Sequence, residues 1–401
     1  MLNLNFLDLK GVKITLCVTS SISFYKAFEI LSILKKAGAD TRVALSENTL
    51  EFCSDLAFEA LSGHKVLCAK NEDWSSGITH IEYAKCDFMI IAPATANTIN
   101  KISAGIADNA LLSCVLACDA PKIIAPAANT KMLENSATQN SLEVLKKRGF
   151  SVIESVSKTL ACGDFGKGAL ANPKDIVLSA LRAWNSKNLA LSATKKVVIT
   201  AGACYEMIDD VRAITNLSSG KMGLALAFAY YLAGFDVTLI SSAKNLPKSF
   251  EKFRILEFQS SADLLETLAK QKLKNDDLLV MCAAISDYIP AQKQSGKMKK
   301  SGQNISLELK ENIDILGSLK AKCKKIGFKM EMDEKTALQS ARKMLENKGL
   351  DAVCLNILKD KNYFGSDENE VIFITKASQS TLKMANKNKI ADQIVKLSES
   401  L

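Results

Sequence analysis

Phe88 to Ala92 reads FMIIA, an apolar run with no polar residue in it. A strand with one wet face alternates apolar and polar side chains. An unbroken apolar run bounded by turn residues predicts a strand covered on both faces. The sheet that contains it must therefore lie between layers of helix. Neighbouring segments agree. Val12–Val18 (VKITLCV), Thr41–Leu45 and Lys122–Ala125 (KIIA) read as strands, and Phe24–Ala37 carries apolar residues at helical spacing, closed by Gly38. Strand and helix in alternation predict a parallel sheet with helices on both sides.

The helix from Pro173 is expected to end near Trp184, and Asn185–Thr194 (NSKNLALSAT), small and polar, reads as a linker. The pattern then restarts. Lys196–Thr200 is a strand leading into Ala201-Gly202-Ala203, a helix lies within Leu217–Gly234, and Asp236–Ile240, Leu278–Cys282, Ala352–Leu355 and Val371–Thr375 are further strands. The expected organisation is residues 1–184, a linker at 185–194, and residues 195–401. Both parts read as α/β, doubly wound, mainly parallel-sheet (Rossmann-like) domains. A chain of 401 residues can bury two such cores.

Composition narrows the function classes. With 48% apolar and 24% charged residues, the chain is neither disordered nor fibrous, and no apolar stretch is long enough to span a membrane. The N-terminal MLNLNFLDLKGVK lacks a basic segment followed by an apolar core, so no signal peptide and a cytoplasmic location are expected. Eleven cysteines without a C-x-x-C pair, and only His64 and His80, argue for reduced thiols and against structural zinc. The net charge is +9, with basic runs at Gln292–Lys300 (QKQSGKMKK) and Lys320–Lys325 (KAKCKK). Neither has interleaved aromatics, so nucleic acid is not the expected partner. A short basic loop suits a small polyanion such as a nucleoside triphosphate; a solvated basic face is the plainer alternative.

In doubly wound sheets, ligands sit at the carboxyl ends of the strands. Three such ends carry small polar residues: Val18-Thr19-Ser20-Ser21-Ile22-Ser23, Pro93-Ala94-Thr95-Ala96-Asn97 and Pro126-Ala127-Ala128-Asn129. Hydroxyls and backbone N–H groups there can surround a phosphate at a helix start, or they can simply cap the helix. The first loop lacks G-x-G-x-x-G, which disfavours a dinucleotide and leaves a mononucleotide phosphate. His80 (THIE) reads either as a hydrogen-bonded helix residue or as a reacting group. Cys162 lies in ACGDFGKG, where the glycines imply a mobile loop and an exposed thiol able to act as acid or nucleophile.

SSISFYK, THIEYAKCDFMIIAPATANTINKISAGIADNALL, PAAN and ACGDFGKG, in this order, resemble the flavin-dependent cysteine decarboxylases. They resemble most the phosphopantothenoylcysteine decarboxylase half of the bifunctional coenzyme A biosynthesis proteins, over Gly11 to about Trp184. The resemblance implies a flavodoxin-like first domain. It implies FMN bound by Ser20, Ser21, Ser46, Ala94, Thr95 and Asn97, and reacting residues at His80, Asn129 and Cys162. Flavin oxidation of the substrate thiol would supply the electron sink that lets CO₂ leave, and the loop cysteine would return a proton. The sequence departs from the family pattern at Ser20-Ser21, Ala128, Met132-Leu133, Ala169 and Leu170, so a flavin-binding domain without full turnover is the alternative.

In the second half, Thr215-Asn216-Leu217-Ser218-Ser219-Gly220-Lys221-Met222-Gly223 reads as an anion-binding helix start or a plain glycine-rich cap, and is not a Walker A. Asp287 ends an apolar strand before the basic loop with Lys297, Lys299 and Lys300, an arrangement suited to metal-triphosphate chemistry. With ITAGACYEMIDDVRAITNLSSGKMG, AAISDY, KMKK, ENIDIL and GFKME, this half resembles phosphopantothenate–cysteine ligase from about Lys195 onward. The resemblance implies CTP and Mg²⁺, with Asn216 acting on an acyl-cytidylate and Lys297 on the lid. Nucleotide contacts would fall on Met281, Cys282, Ala283, Asp287, Asn312, Ile313, Asp314, Ile315, Phe328 and Lys348, with Asp287 the tentative magnesium ligand. Ile313 replaces a proline, Met344 a lysine, and the loop before Lys297 is longer.

Two consecutive reactions on 4′-phosphopantothenate and cysteine follow from the pair of resemblances. So does a homo-oligomer, with trimeric flavin domains and dimeric ligase domains. A nicotinamide oxidoreductase and a non-enzymatic flavin-binding regulator are the competing classes. The missing dinucleotide fingerprint counts against the first, and the presence of both His80 and Cys162 against the second.

Overall fold

The structure, a computed structural model, describes residues 7–72, 79–159, 163–188, 196–243, 246, 254–300, 304–358, 363 and 365–401. The chain divides into two compact units, Leu2–Ala190 and Leu191–Leu401, with Met1 grouped with the second.

The first unit is built on β1 (Lys13–Val18), β2 (Asp40–Leu45), β3 (Phe88–Ala94), β4 (Lys122–Pro126) and β5 (Ser151–Val152), in the order β2-β1-β3-β4-β5 and all parallel. This is the flavodoxin-like order. Every residue of β3 is buried, as the unbroken apolar run predicts. Ile90 lies opposite Leu16 on one side and Ile123 on the other. Each such side chain contributes roughly 1.5–3 kcal/mol when fully buried. Helices Lys26–Lys36, Ala96–Ala104, Ala110–Ala117, Ser136–Lys147 and Pro173–Asn188 accompany the sheet. The last runs through Asn188, past the expected end at Trp184 and into the segment read as linker. Its continuation is favoured because Pro173 fits a first helical turn and no glycine or proline follows before Asn188.

The cysteine segment departs from expectation. β6 (Val156–Thr159) pairs antiparallel with β7 (Phe165–Ala169), so Gly166 and Gly168 are strand residues rather than parts of a mobile loop. A Cβ on Gly166 would stand 2.3 Å from Thr130 Oγ1; that close approach explains the glycine. Cys162 itself lies outside the described residues.

The second unit has β8 (Lys196–Ala201), β9 (Tyr205–Met207), β10 (Ala213–Thr215), β11 (Asp236–Ser241), β12 (Arg254–Glu257), β13 (Leu278–Met281), β14 (Tyr288–Pro290), β15 (Leu309–Glu311), β16 (Lys324–Glu331), β17 (Ala352–Ile357), β18 (Glu368–Thr375) and β19 (Gln379–Asn386). The main sheet has the order β12-β11-β8-β13-β16-β17-β18-β19. Its first six strands are parallel and follow the dinucleotide-fold order, while β18 and β19 add an antiparallel edge. The sequence reading missed β16. Its opening lysines belong to the basic run at Lys320–Lys325, and Ile326 and Gly327 are the buried part. Helix Lys221–Leu232 is apolar nearly all round because it packs between the sheet and helix Lys387–Ser398, where Tyr230 Oη meets Ser398 Oγ at 2.8 Å.

Candidate active sites

In the first unit, buried Thr19 stitches two strand ends together. Its hydroxyl donates to the Pro93 carbonyl at 2.7 Å and accepts from Thr95 N at 3.0 Å. Ser46 N donates to the Val18 carbonyl at 3.1 Å, and Ser46 Oγ lies 2.8 Å from Thr49 Oγ1. The ends of β1, β2 and β3 thus converge where the strand order reverses, bringing Ser20, Ser21, Ser46, Ala94 and Thr95 into one neighbourhood. Ser21 and Thr95 also cap: Ser21 Oγ accepts from Ser23 N, and Thr95 Oγ1 from Thr98 N. Capping uses a lone pair and leaves the hydroxyl proton available, so the two readings of these loops are compatible. Asn97 is exposed in the first turn of the same helix.

Asn129 follows β4, and its Oδ1 caps the next helix by accepting from Lys131 N at 2.9 Å. Ala128 N donates to the Gly168 carbonyl at 3.1 Å, which joins this loop to the β6–β7 hairpin. Asn129 is therefore brought beside the β6–β7 hairpin. Leu170, where the family pattern has methionine, is fully buried, and its carbonyl accepts from Lys26 Nζ at 2.7 Å. Burial and the nearby Lys158 hold the Lys26 ammonium below its ordinary pKa. His80 is placed by other means. It stands in helix Thr79–Ala84, which packs on helix Ala110–Ala117, and its Nδ1 lies 2.6 Å from Glu72 Oε1. Sequence reading missed Glu72, which no motif marks.

In the second unit, Thr200 plays the part of Thr19. Its hydroxyl oxygen accepts from Cys282 N at 3.1 Å and Ala283 N at 3.0 Å, tying β8 to β13. Gly202 and Gly220 have φ of +94° and +71°. A Cβ on Gly220 would meet Gly202 N at 3.1 Å, and one on Gly223 would meet Thr200 O at 2.9 Å. These are the tasks of the dinucleotide-fold glycines: a tight turn and close helix–strand packing. The fingerprint absent from the sequence is present in space, interrupted by the insertion that carries β9 and β10. Gly220 caps helix Lys221–Leu232 without a side-chain bond, so the first N–H groups of that helix are open to an anion. Asn216 is half-buried in the loop just before it.

The nucleotide-contact candidates divide into two groups. Met281 and Ile315 bury their side chains in the core, so what they offer a ligand is backbone. Asn312 is committed to structure: Nδ2 donates to the Ser286 carbonyl at 2.8 Å, and Oδ1 accepts from Ser261 Oγ and Ile313 N. Burial pushes the Cys282 thiol up to about 12, which keeps it protonated. Asp314 pairs with Lys348 Nζ at 3.0 Å; burial opposes its ionisation, yet this contact and the Gly317 N–H keep its carboxyl below the usual range. Ala283 and Phe328 are half-buried, and Ile313 and Asp287 are exposed. Met344, replacing a lysine, turns its Cε toward Gly327 and is a packing residue.

Among the described residues, no group of three or more His, Cys, Asp or Glu could hold a metal. Magnesium held through phosphates and water, with one carboxylate such as Asp287, needs no such group. No helix of the described residues is long and apolar enough to cross a membrane.

The basic segment 291–300 is the part that sequence reading understood least. Lys293 Nζ pairs with Asp210 Oδ1 at 2.8 Å, whereas Lys297 is exposed and makes no ion pair among the described residues. Asp209 and Asp210, which no motif singled out, grip the segment from the turn before β10.

Residues 5–184 match the flavoprotein family, and residues 192–401 match the family described as DNA/pantothenate metabolism flavoprotein C-terminal domain. The chain is 38% identical over 396 residues to the coenzyme A biosynthesis bifunctional protein CoaBC of Bacillus subtilis, covering 96% of both chains. The chain belongs to the bifunctional coenzyme A biosynthesis family. Two solved structures align with one part each. PPC decarboxylase complexed with pantothenoylaminoethenethiol is 32% identical, with a TM-score of 0.37, covering 42% of this chain and 94% of that one. The C-terminal domain of a CoaBC protein is 29% identical, with a TM-score of 0.42, covering 52% and 97%. Membership of this family makes the first unit a flavoprotein domain and the chain an enzyme with two activities.

Proposed function

We propose that the second unit joins cysteine to 4′-phosphopantothenate at the expense of CTP, and that the first decarboxylates the product to 4′-phosphopantetheine with FMN. The observation that carries this reading is the match of the chain to a bifunctional relative along 96% of both lengths. Asn129 in the loop after β4 and Asn216 directly after β10 support it, each standing where a strand of its own unit ends.

In the first unit, the hydroxyls of Ser21 and Thr95 and the start of helix Ala96–Ala104 suit the phosphate of FMN, and small Ser20 and Ala94 leave room for it. Bound there, flavin supplies reversible two-electron chemistry at the substrate's thiol-bearing carbon. Asn129 holds the substrate's polar groups, His80 with Glu72 orients a proton beside the reacting end, and the Cys162 thiol donates the final proton. In the second unit, the open helix start after Gly220 takes phosphate oxygens, and Lys297 neutralises charge on the triphosphate. Asp287 takes one magnesium position. Asn216 acts on the acyl-cytidylate, so that the cysteine amine can displace CMP. The trimeric and dimeric associations expected of the two domain types belong to this proposal.

The test is direct. Purified protein with 4′-phosphopantothenate, cysteine, CTP and Mg²⁺ is expected to show a flavin absorption spectrum and to form pyrophosphate, CMP, CO₂ and 4′-phosphopantetheine. A colourless protein that fails to bind added FMN ends the reading of the first unit, and absence of pyrophosphate ends that of the second.

A further inference from the structure

We propose that Asp209 and Asp210 form a two-carboxylate latch that positions Lys297 for the triphosphate. The proposal rests on the ligase reading above and assigns to that site two positioning residues and a fixed state of its lid.

The geometry divides the work between the oxygens. Asp209 Oδ1 accepts from Val211 N at 2.7 Å and Arg212 N at 2.8 Å, which shapes the turn. Asp209 Oδ2 accepts from Met298 N at 3.2 Å and faces Arg212 Nη1 at 3.5 Å. Arg212 Nη2 in turn donates to the Met298 carbonyl at 3.3 Å. Asp210 Oδ2 accepts from Gly296 N at 2.8 Å, its Oδ1 pairs with Lys293, and Asp210 N donates back to the Gly296 carbonyl at 3.3 Å. The backbone on both sides of Lys297 is thus held, at Gly296 and at Met298, while its ammonium stays unpaired among the described residues. Gly296 has a φ of +72°, so the chain reverses just before the lysine.

Asp209 is fully buried, and a carboxylate that accepts several N–H bonds at such a place is stabilised in its charged form. The same turn runs directly into β10 and the loop of Asn216. One pair of carboxylates therefore sets the position of the lysine relative to the asparagine. Lys293, in the lengthened loop before Lys297, is paired with Asp210 as part of the latch, whereas Lys297 and Lys299 are exposed. A preorganised lysine needs no ordering when substrate binds, which places the benefit in the rate of the first step.

The experiment uses the full chain with CTP, 4′-phosphopantothenate and Mg²⁺, without cysteine. The carboxylate then attacks the α-phosphorus of CTP, the bond to the β-phosphate oxygen breaks, and pyrophosphate leaves. Asp209→Asn is the informative variant, since its remaining oxygen can keep the turn while its amide faces the Met298 N–H, donor to donor. The single-turnover rate of pyrophosphate release at saturating substrate is expected to fall by about 10-fold, with the half-saturating concentration of 4′-phosphopantothenate changed by less than about 2-fold. Tryptic cleavage after Lys297, Lys299 and Lys300 should accelerate several-fold. The double variant Asp209→Asn/Lys297→Ala should be no slower than Lys297→Ala alone, because one acts through the other. Asp210→Asn, at a half-exposed site, should show a smaller loss in the same direction and guards against a folding failure of the first variant.

Wild-type turnover and unchanged cleavage in both aspartate variants overturn the latch, as do losses that multiply in the double variant. Full activity of Lys297→Ala overturns the assignment of Lys297 and the latch's purpose with it. Failure of the unmodified chain to release pyrophosphate is a different result, and removes the ligase reading itself.

Discussion

The β6–β7 hairpin and the 291–300 segment adjoin the ends of parallel strands in their respective units, and they are fastened by different forces. The hairpin is held by a backbone ladder, Val156 against Ala169 and Lys158 against Gly166, by the contact of Gly166 with Thr130, and at its surface by Lys167 Nζ on Glu154 Oε2 at 2.5 Å. The lysine segment is held by carboxylates: Asp209 on the Met298 N–H, Asp210 on the Gly296 N–H and Lys293. A backbone ladder has no titratable part. A carboxylate latch responds to acid and, where exposed, to salt. The hairpin and the lysine segment thus differ in how much of their fastening acid and salt can loosen, which provides ways to test the comparison.

The largest effects are expected at the reacting groups. Lys297→Ala should reduce ligation at least about 100-fold and leave decarboxylation of supplied phosphopantothenoylcysteine unchanged. Cys162→Ser should do the reverse, reducing phosphopantetheine formation at least about 100-fold, because a serine hydroxyl is a far weaker acid than a thiol. Separate assays on the two variants decide this; loss of both activities in either one breaks the picture of independently served sites.

A smaller effect should follow from crowding the hairpin. The new Cβ of Gly166→Val would lie 2.3 Å from Thr130 Oγ1. Overpacking of this kind costs about 1–3 kcal/mol, so decarboxylation should fall roughly 10-fold while ligation is untouched. Adding Thr130→Ala relieves the clash and should restore most of the loss. Persistence of the full defect in the double variant would mean that the contact with Thr130 is not what seats the hairpin.

Acid should separate the two devices. The Asp209 carboxyl is held below the ordinary value by the Val211, Met298 and Arg212 N–H groups, and that of Asp210 by Lys293 and the Gly296 N–H. Their folded pKa values lie below the unfolded one, so their contribution is complete above the ordinary aspartate value of about 3.9 and is lost as pH falls through the lower folded values. Carboxyl-carbon NMR titration of both residues should therefore give midpoints below that value, with the amide signals of Gly296 and Met298 moving in step. Midpoints at or above it contradict the latch geometry.

The smallest effect belongs to Lys293. Its pair with Asp210 is half-exposed, and such pairs contribute about 0–1 kcal/mol. Lys293→Ala should slow pyrophosphate release less than about 5-fold, and 1 M salt should erase the difference from the unmodified chain. A loss as large as that of Lys297→Ala would transfer the phosphate role to Lys293.

Several of these features were legible in the sequence, and others were hidden for definite reasons. The run at Phe88–Ala92 announced a doubly covered strand because burial on both faces removes the need for polar residues. The hydroxyl residues at Ser21 and Thr95 announced helix starts following strands. By contrast, the glycines of ACGDFGKG read as a loop, since glycine marks turns and close approaches alike, and only the Thr130 side chain shows which applies to Gly166. The strand β16 was masked by lysines that belong to its exposed start. Glu72 lies in no motif, Asp209 lies in a matched stretch that assigns it no role, and both matter through the partners they reach.

What the sequence determined by itself is local. Apolar spacing fixed the alternation of strand and helix, and the residue types at strand ends fixed what chemistry could stand there, because both depend on near neighbours along the chain. The tertiary structure decided which separated residues act together. Gly202 meets Gly220, and Gly223 meets Thr200 and Ala201, across the β9–β10 insertion that separates them in sequence. Lys293 is paired and Lys297 unpaired among the described residues only because the turn at Asp209 and Asp210 lies under them. Contacts across such separations are set by strand order and packing, and no short stretch of sequence contains that information.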